Sequence, residues 1–258
     1  MRTCVFCGRS GGLTKEHLYP ECLQARRSGK RVYSTAAAPE SFVGPSALQI
    51  GDVCARCNNE TLSQLDNYFC KLFDSQIRDR VIREGDVISF QYDYSKLTRW
   101  LLKVLYNNSR AAGAEKKYAD HLRSYASFMM GHASIPNELM LLLRLTTAIQ
   151  HEAKEIVSSH MAAGLIRLPD FDKRLGETYL VSIDSFSFIV VLLVNSAGRL
   201  KRKALDSLES SSSLGEATRL KRGCDNQRIS ASEFSTLDID GQLILSDIGK
   251  WKRLEEHD

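Results

Sequence analysis

Cys4-Val-Phe-Cys7, Lys15-Glu16-His17-Leu18 and Cys54-Ala-Arg-Cys57-Asn58-Asn59 are the stretches on which the fold turns. Each Cys-x-x-Cys pair forms a tight thiolate knuckle, and two knuckles supply the four tetrahedral sulfur ligands of a structural zinc. Neither pair sits between a strand and a helix of a βαβ unit, where a thioredoxin-like redox pair belongs. The segment they enclose is irregular, with a turn at Gly11-Gly12 and a Gly/Ser/Ala/Pro-containing run from Ser28 to Ser46. It cannot build a core alone, so bound zinc is expected to supply part of its folding free energy. An acidic residue beside a histidine, with the hard oxygen of Asn58 at the start of the next helix, has the makings of a second, catalytic metal site.

Composition sets the outer bounds. The chain has 258 residues, 26% charged and 43% hydrophobic, near the average for a globular protein and far from that of a disordered or fibrous one. A net charge of +4 permits a nucleic-acid partner without demanding one. The longest apolar run, Phe188 to Val194, is too short to cross a bilayer, and Met1 to Cys7 holds no apolar signal region. The expectation is a cytoplasmic protein with no membrane partner. In a reducing compartment the seven cysteines divide into four metal ligands and three ordinary thiols, Cys22, Cys70 and Cys224.

Beyond the second knuckle, Leu62, Leu65, Phe69, Leu72 and Phe73 recur at helical spacing, with Asn58 or Asn59 as the expected N-cap. Val87 to Tyr92 reads as a strand. Lys96 to Ala112 reads as a helix with Leu97, Trp100, Leu101, Val104 and Leu105 on its core face, and Glu115 to Met130 as another. Leu139 to Leu143 fits a buried strand or a buried helix, and a strand from Met140 to Thr147 is favoured. Tyr179 to Ile183 and Phe186 to Val194 form a hairpin about Asp184-Ser185. Ser210 to Ser213 suggests a loop and Gln242 to Leu245 a last strand. His151 and Glu155 have the i, i+4 spacing of an exposed helix pair.

Taken together, Cys4-Val-Phe-Cys7, Leu13-Thr-Lys-Glu16-His17-Leu-Tyr-Pro20 and Val53-Cys54-Ala-Arg-Cys57-Asn58-Asn59 resemble the HNH endonucleases, ββα-metal nucleases on a treble-clef-like zinc scaffold. The resemblance covers about the first 75 residues. It implies structural Zn²⁺ on Cys4, Cys7, Cys54 and Cys57. It further implies His17 as the general base that activates water, with Glu16 and Asn58 holding one Mg²⁺ or Mn²⁺ through oxygen. That ion would act as a Lewis acid between a phosphate oxygen and the leaving 3′ oxygen, giving a 3′-hydroxyl and a 5′-phosphate. Three departures from the common pattern stand out. The acid is Glu rather than Asp, the last ligand is Asn58 rather than His, and the middle asparagine that ties the histidine's loop to the backbone has no clear counterpart. Gln49 and Asp52 are the nearest substitutes.

Lys15 and Arg56 flank the proposed centre, and Arg26, Arg27, Lys30 and Arg31 form a basic loop suited to phosphate contact or simply to solvation. Arg199 to Lys203 and Arg219 to Arg222 are further basic clusters, for nucleic acid or for guarding a sheet edge. The expected architecture is α+β. A zinc-stapled ββα-metal module occupies residues 1–75, and a helical and antiparallel-β domain of recognition or regulatory role occupies 76–258. The expected activity is metal-dependent endonucleolytic hydrolysis of DNA, with RNA as an alternative substrate, a protein partner or homodimer, and a place in phage defence or restriction. The competing readings are a non-catalytic zinc-dependent nucleic-acid-binding protein and a protein-interaction subunit.

Overall fold

The computed structural model describes residues 2–26, 49–111, 116–151, 154–158, 161–168, 171–194 and 217–231, with positions 202, 204, 206 and 208. The first elements are β1 (Leu13–His17), α1 (Glu21–Arg26), β2 (Gln49–Cys54) and α2 (Ser63–Leu72), which is extended by wider π-type turns at Cys57–Leu62 and Phe73–Ile77. Gly11 and Gly12, at φ of 79° and 60°, turn the chain out of the first knuckle into β1, a conformation that disfavours any side chain with a Cβ. β1 then pairs antiparallel with β2, Leu13 opposite Cys54 and His17 opposite Gln49, with a bulge between Thr14 and Glu16. This register returns the second knuckle to the first. Bonds from Val5 N to Asp52 O and from Ala55 N to Gly12 O close the return.

β3 (Val87–Gln91), α3 (Tyr94–Ala111), α4 (Lys116–Arg123) and α5 (Ala126–Met129) follow. The single helix expected over 115–130 is thus two, divided at Ser124 and Tyr125, whose backbone amides bond back to Asp120, His121 and Leu122. The strands β4 (Leu139–Leu145), β5 (Ile149–His151), β6 (Lys154–Ile156), β7 (Met161–Ile166), β8 (Gly176–Ile183), β9 (Phe186–Leu193), β10 (Thr218–Arg219) and β11 (Asn226–Ser230) complete the chain. His151 and Glu155 therefore lie on the two strands of a small hairpin and not on one helix, and Glu155 pairs with Arg83 at 3.1 Å. The sequence segments 210–213 and 242–245 lie outside the described residues.

The main sheet runs β10-β4-β9-β8-β7, antiparallel throughout. Its strands are almost continuously apolar because both faces are covered. Alternation sends Leu139, Leu141, Leu143 and Leu145 of β4 to the main core, while Met140 and Leu142 pack with Leu168, Phe171, Leu175, Ala204 and Leu208 on the other face. The β8–β9 hairpin turns at Asp184-Ser185, and Asp184 takes a positive φ of 52°, as tight two-residue turns require.

α3 supplies the opposing layer. Leu97, Trp100, Leu101, Val104 and Leu105 are all buried, as their spacing implies, and the Trp100 indole stacks on Phe69 of α2 with ring centroids 3.4 Å apart. Cys4, Phe6, Leu18, Tyr19, Leu23 and Val53 belong to the same cluster of buried residues as α3 and the sheet. The core therefore shows no break at residue 75. The N-terminal segment, poor in apolar surface, completes itself against α3.

Cys22 and Cys70 are not the ordinary thiols expected. They form a disulfide between α1 and α2, with Cα atoms 6.4 Å apart. Their separation of 48 residues makes the closed loop worth about 4 kcal/mol against the unfolded chain in the loop-entropy account. A second correction concerns the helix start. Arg56 holds the N-cap position with no side-chain cap, and Asn58 turns its side chain back to β1 instead. Among the described residues no helix is long and apolar enough to cross a membrane.

Because Trp100 is wholly buried between α2 and the sheet, Trp100→Ala should lower unfolding free energy by about 3–5 kcal/mol. A denaturant titration reads this directly, and a loss below about 1 kcal/mol would mean that the α2–α3 contact is not the core of the fold.

Candidate metal centre and histidine site

The four knuckle cysteines meet as the register of β1 and β2 requires. Their sulfur atoms lie within 4.8 Å of one another, and Cys7 Sγ is 3.7 Å from Cys54 Sγ. Tetrahedral zinc with bonds of about 2.3 Å separates its sulfur ligands by about 3.8 Å, so the donor set fits such an ion. Cys4, Cys54 and Cys57 are buried and Cys7 is exposed. Burial works against ionisation of Cys4, yet the backbone amides of Cys54, Cys7 and Phe6 outweigh it and bring the thiol down to about 7. Burial and the neighbouring cysteines push the Cys57 thiol well up. One thiolate thus forms readily while burial holds back Cys7 and Cys57, a penalty that a bound divalent cation relieves. The four cysteines could hold a metal ion such as zinc.

The knuckles are fixed to α3 from outside. Phe6 meets Tyr106 edge-on with centroids 5.5 Å apart, and the Arg110 guanidinium lies over the Tyr106 ring while pairing with Asp52. Asp52 is consequently occupied, and does not tie down the histidine segment. Asn107 of α3 does so, donating to the His17 carbonyl at 3.2 Å and lying 3.5 Å from Glu16 Oε1. Nothing in the first 75 residues pointed to it. The available signal was the polar set Lys103, Asn107 and Asn108 in α3, all of them buried.

His17 ends β1, partly exposed, between two glutamines. Gln24 Nε2 donates to the Tyr19 carbonyl at 2.8 Å and lies 3.3 Å from His17 Nδ1. A carbonyl only accepts, so this contact fixes which end of the Gln24 amide is nitrogen. Nδ1 must then accept, and the neutral ring carries its proton on Nε2. Gln49 Nε2 lies 3.2 Å from His17 Nε2, and with the ring proton on Nε2 a hydrogen bond there requires the Gln49 amide to present its oxygen.

Glu16 faces inward and is 2% exposed. Lys103 Nζ, wholly buried, sits 2.5 Å from its carboxylate and 2.7 Å from both oxygens of Asp66, to which Trp100 Nε1 also donates at 3.2 Å. Burial would lower the Lys103 ammonium, but Asp66 and Glu16 together hold it above its ordinary range. Burial raises the Glu16 carboxyl, with Lys103 pulling it only part of the way back. Asn58, in the first helical turn, donates to Thr14 Oγ1 at 3.0 Å and to the Lys15 carbonyl at 2.9 Å, which leaves its amide oxygen as the acceptor. The structure thus brings Asn58 against the strand that carries His17, while the Glu16 carboxylate is engaged inside. Among the described residues, the four cysteines are the only cluster of three or more His, Cys, Asp or Glu suited to a metal.

Lys15 and Arg56 are exposed, and Arg56 makes a loose 3.4 Å pair with Glu60. Arg26 is committed to Asp74 at 2.6 Å. Arg27, Lys30 and Arg31 lie outside the described residues, as does most of the 199–203 cluster. Arg222 donates to the Pro136 and Leu139 carbonyls, which ties it to the start of β4.

No protein-family model, curated protein or solved structure matches this chain.

Two outcomes follow from these contacts. Cys4→Ser should reduce bound metal, read by elemental analysis, from one ion per chain towards none, and wild-type protein should release metal as pH falls because each ligand must be a thiolate. Lys103→Met leaves two carboxylates without their cation and should cost about 3–5 kcal/mol. A carboxyl whose folded pKa is raised favours the folded state while protonated, and that contribution is lost as pH rises. The Lys103→Met deficit should therefore shrink on acidification towards the Glu16 range and widen at neutral pH, as thermal melts across pH would show.

Proposed function

We propose that this chain is an HNH-type, metal-dependent endonuclease that hydrolyses phosphodiester bonds in DNA. The reading is supported by the order strand, strand, helix built on four metal-competent cysteines, with His17 ending β1 and Asn58 in the first turn of the helix. The observation that carries it is the bond from the Asn58 amide nitrogen to the Lys15 carbonyl, two residues before His17, which holds this side chain against the strand of the base and leaves its oxygen as an acceptor. A treble-clef-like ββα-metal module is part of the same reading.

In this mechanism His17 takes a proton from the attacking water, once one of its ring nitrogens is free. Asn58 and Glu16 are the oxygen ligands for a divalent cation. Mg²⁺ or Mn²⁺, when bound, supplies the Lewis acid that stabilises charge on phosphate and on the leaving oxygen. Glu16 serves only by leaving Lys103. Asp66, which already accepts from the same ammonium, then remains as its counter-ion, so the buried lysine is never left unpaired. Asn107 holds the His17 backbone while the carboxylate moves. Lys15 and Arg56 are placed to meet phosphate, with RNA as an alternative substrate. A cytoplasmic setting, a dimeric or partnered form and a part in phage defence or restriction belong to the same proposal.

The enclosed Glu16–Lys103 pair favours a second reading, a zinc-dependent nucleic-acid-binding or protein-interaction module without catalysis. Incubation of purified protein with supercoiled plasmid and Mg²⁺ or Mn²⁺ separates the two. The nuclease reading predicts nicking that falls by about 10²–10⁴-fold in His17→Ala and is also lost in Asn58→Ala. Nicking unchanged in His17→Ala, or no nicking by the wild type with the Cys22–Cys70 bond either intact or reduced, would overturn it.

A further inference from the structure

We infer that Gln24 is a positioning residue for His17 and that the Cys22–Cys70 disulfide decides whether it engages, so that the site is gated by redox state; this rests on the reading of His17 as a base. The short helix α1 carries three anchors within five residues. Cys22 is bonded to Cys70 of α2, Arg26 pairs with Asp74 at 2.6 Å while also bonding the Cys22 carbonyl at 2.9 Å, and between them Gln24 reaches His17 Nδ1. Leu23 is buried in the core and seats the helix.

With α1 fastened in this way, both ring nitrogens of His17 are occupied. Nδ1 accepts from Gln24, and the Gln49 amide lies 3.2 Å from Nε2. A base needs an open lone pair, so the fastened arrangement is the resting one. Cys22 is partly buried and Cys70 is buried, so a small thiol reaches the Cys22 sulfur first. Its thiolate attacks Cys22 Sγ, the protein S–S bond breaks, and Cys70 departs as a thiolate that takes up a proton. A second small thiol then attacks the mixed disulfide at the small thiol's own sulfur. The products are one small-molecule disulfide and two protein thiols, with two thiols oxidised for one disulfide reduced. What then holds α1 is the buried Leu23 side chain, about which it can turn, and the Arg26–Asp74 pair to the turn after α2, whose side chains are 30% and 36% exposed, and such pairs hold weakly. The release of α1 lets Gln24 withdraw and opens Nδ1.

The test compares air-oxidised and glutathione-reduced full-length protein, each checked for unchanged zinc content, with Cys22→Ser and Gln24→Leu. Differential alkylation with peptide mass spectrometry reads the Cys22–Cys70 link. Diethyl pyrocarbonate labelling of the His17 peptide reads the open nitrogen without relying on cleavage. Reduced wild type and Cys22→Ser should label about tenfold faster than the oxidised form, as expected if the open arrangement is about a tenth of the fastened population. Gln24→Leu, with no donor to offer, should label fast in both redox states. Equal labelling of oxidised and reduced wild type, or no Cys22–Cys70 link in the oxidised protein, would overturn the gate. If Cys22→Ser does not fold, the reduced wild type still decides. Plasmid nicking run on the same samples separates the two proposals. Redox-dependent labelling without nicking in any form removes the nuclease reading and keeps the gate, whereas equal nicking with equal labelling removes the gate alone.

Discussion

The Lys103 ammonium, buried on α3 between Glu16 of β1 and Asp66 of α2, ties the N-terminal strand pair and its helix to the rest of the protein. A buried charge is tolerable only while it is paired and hydrogen-bonded, so the positions of β1, α2 and α3 are set together. Trp100 and Asn107, one and a little over one helical turn from Lys103, add their donors to the same carboxylates, and Asn107 also holds the His17 backbone. The cysteine knuckles are attached to the same helix one turn further on, through Arg110 and Tyr106. One face of α3 therefore positions both the metal-competent cysteines and the histidine.

This dependence explains which features were legible in the sequence. The four knuckle cysteines and the apolar stripe of α3 are local patterns, carried by Cys-x-x-Cys spacing and by helical periodicity, and they emerge in the structure, whereas β1, α1 and β2 form in a segment whose composition reads as irregular. The buried strands β8 and β9 were readable because continuous β-branched and aromatic runs about a two-residue turn leave few alternatives, whereas the Leu- and Met-rich β4 reads equally as a buried helix and is decided by its pairing with β9. What could not be read was the partner of each polar group. Glu16 meets Lys103 across 87 positions of chain, and no spacing rule spans that distance. Asp52 was a reasonable substitute for the missing asparagine until Arg110 claimed it. Cys22 and Cys70 were assigned as thiols from the expected compartment, whereas α1 and α2 bring them together.

Two kinds of control meet at His17. Inside, Lys103 competes for the carboxylate beside it. Outside, α1 places Gln24 on one ring nitrogen while β2 places Gln49 on the other. Each contact satisfies a polar group, and under the proposed nuclease reading the Lys103 and Gln24 contacts would have to give way before the residues act on a phosphodiester. A site assembled from satisfied groups is stable but closed, and opening it requires a cation, a substrate or a chemical change that offers something in return. Asp66 matters here because it would keep the ammonium paired if Glu16 left, as the proposed mechanism requires.

The claim that Glu16 exchanges Lys103 for a divalent cation is tested most directly by titrating Mn²⁺ into the zinc-loaded protein and following free Mn²⁺ by electron paramagnetic resonance. The account predicts one Mn²⁺ site per chain in addition to zinc, weakened in both Glu16→Gln and Asn58→Ala. Absence of Mn²⁺ binding by the wild type, or binding unaffected by Glu16→Gln, would contradict it.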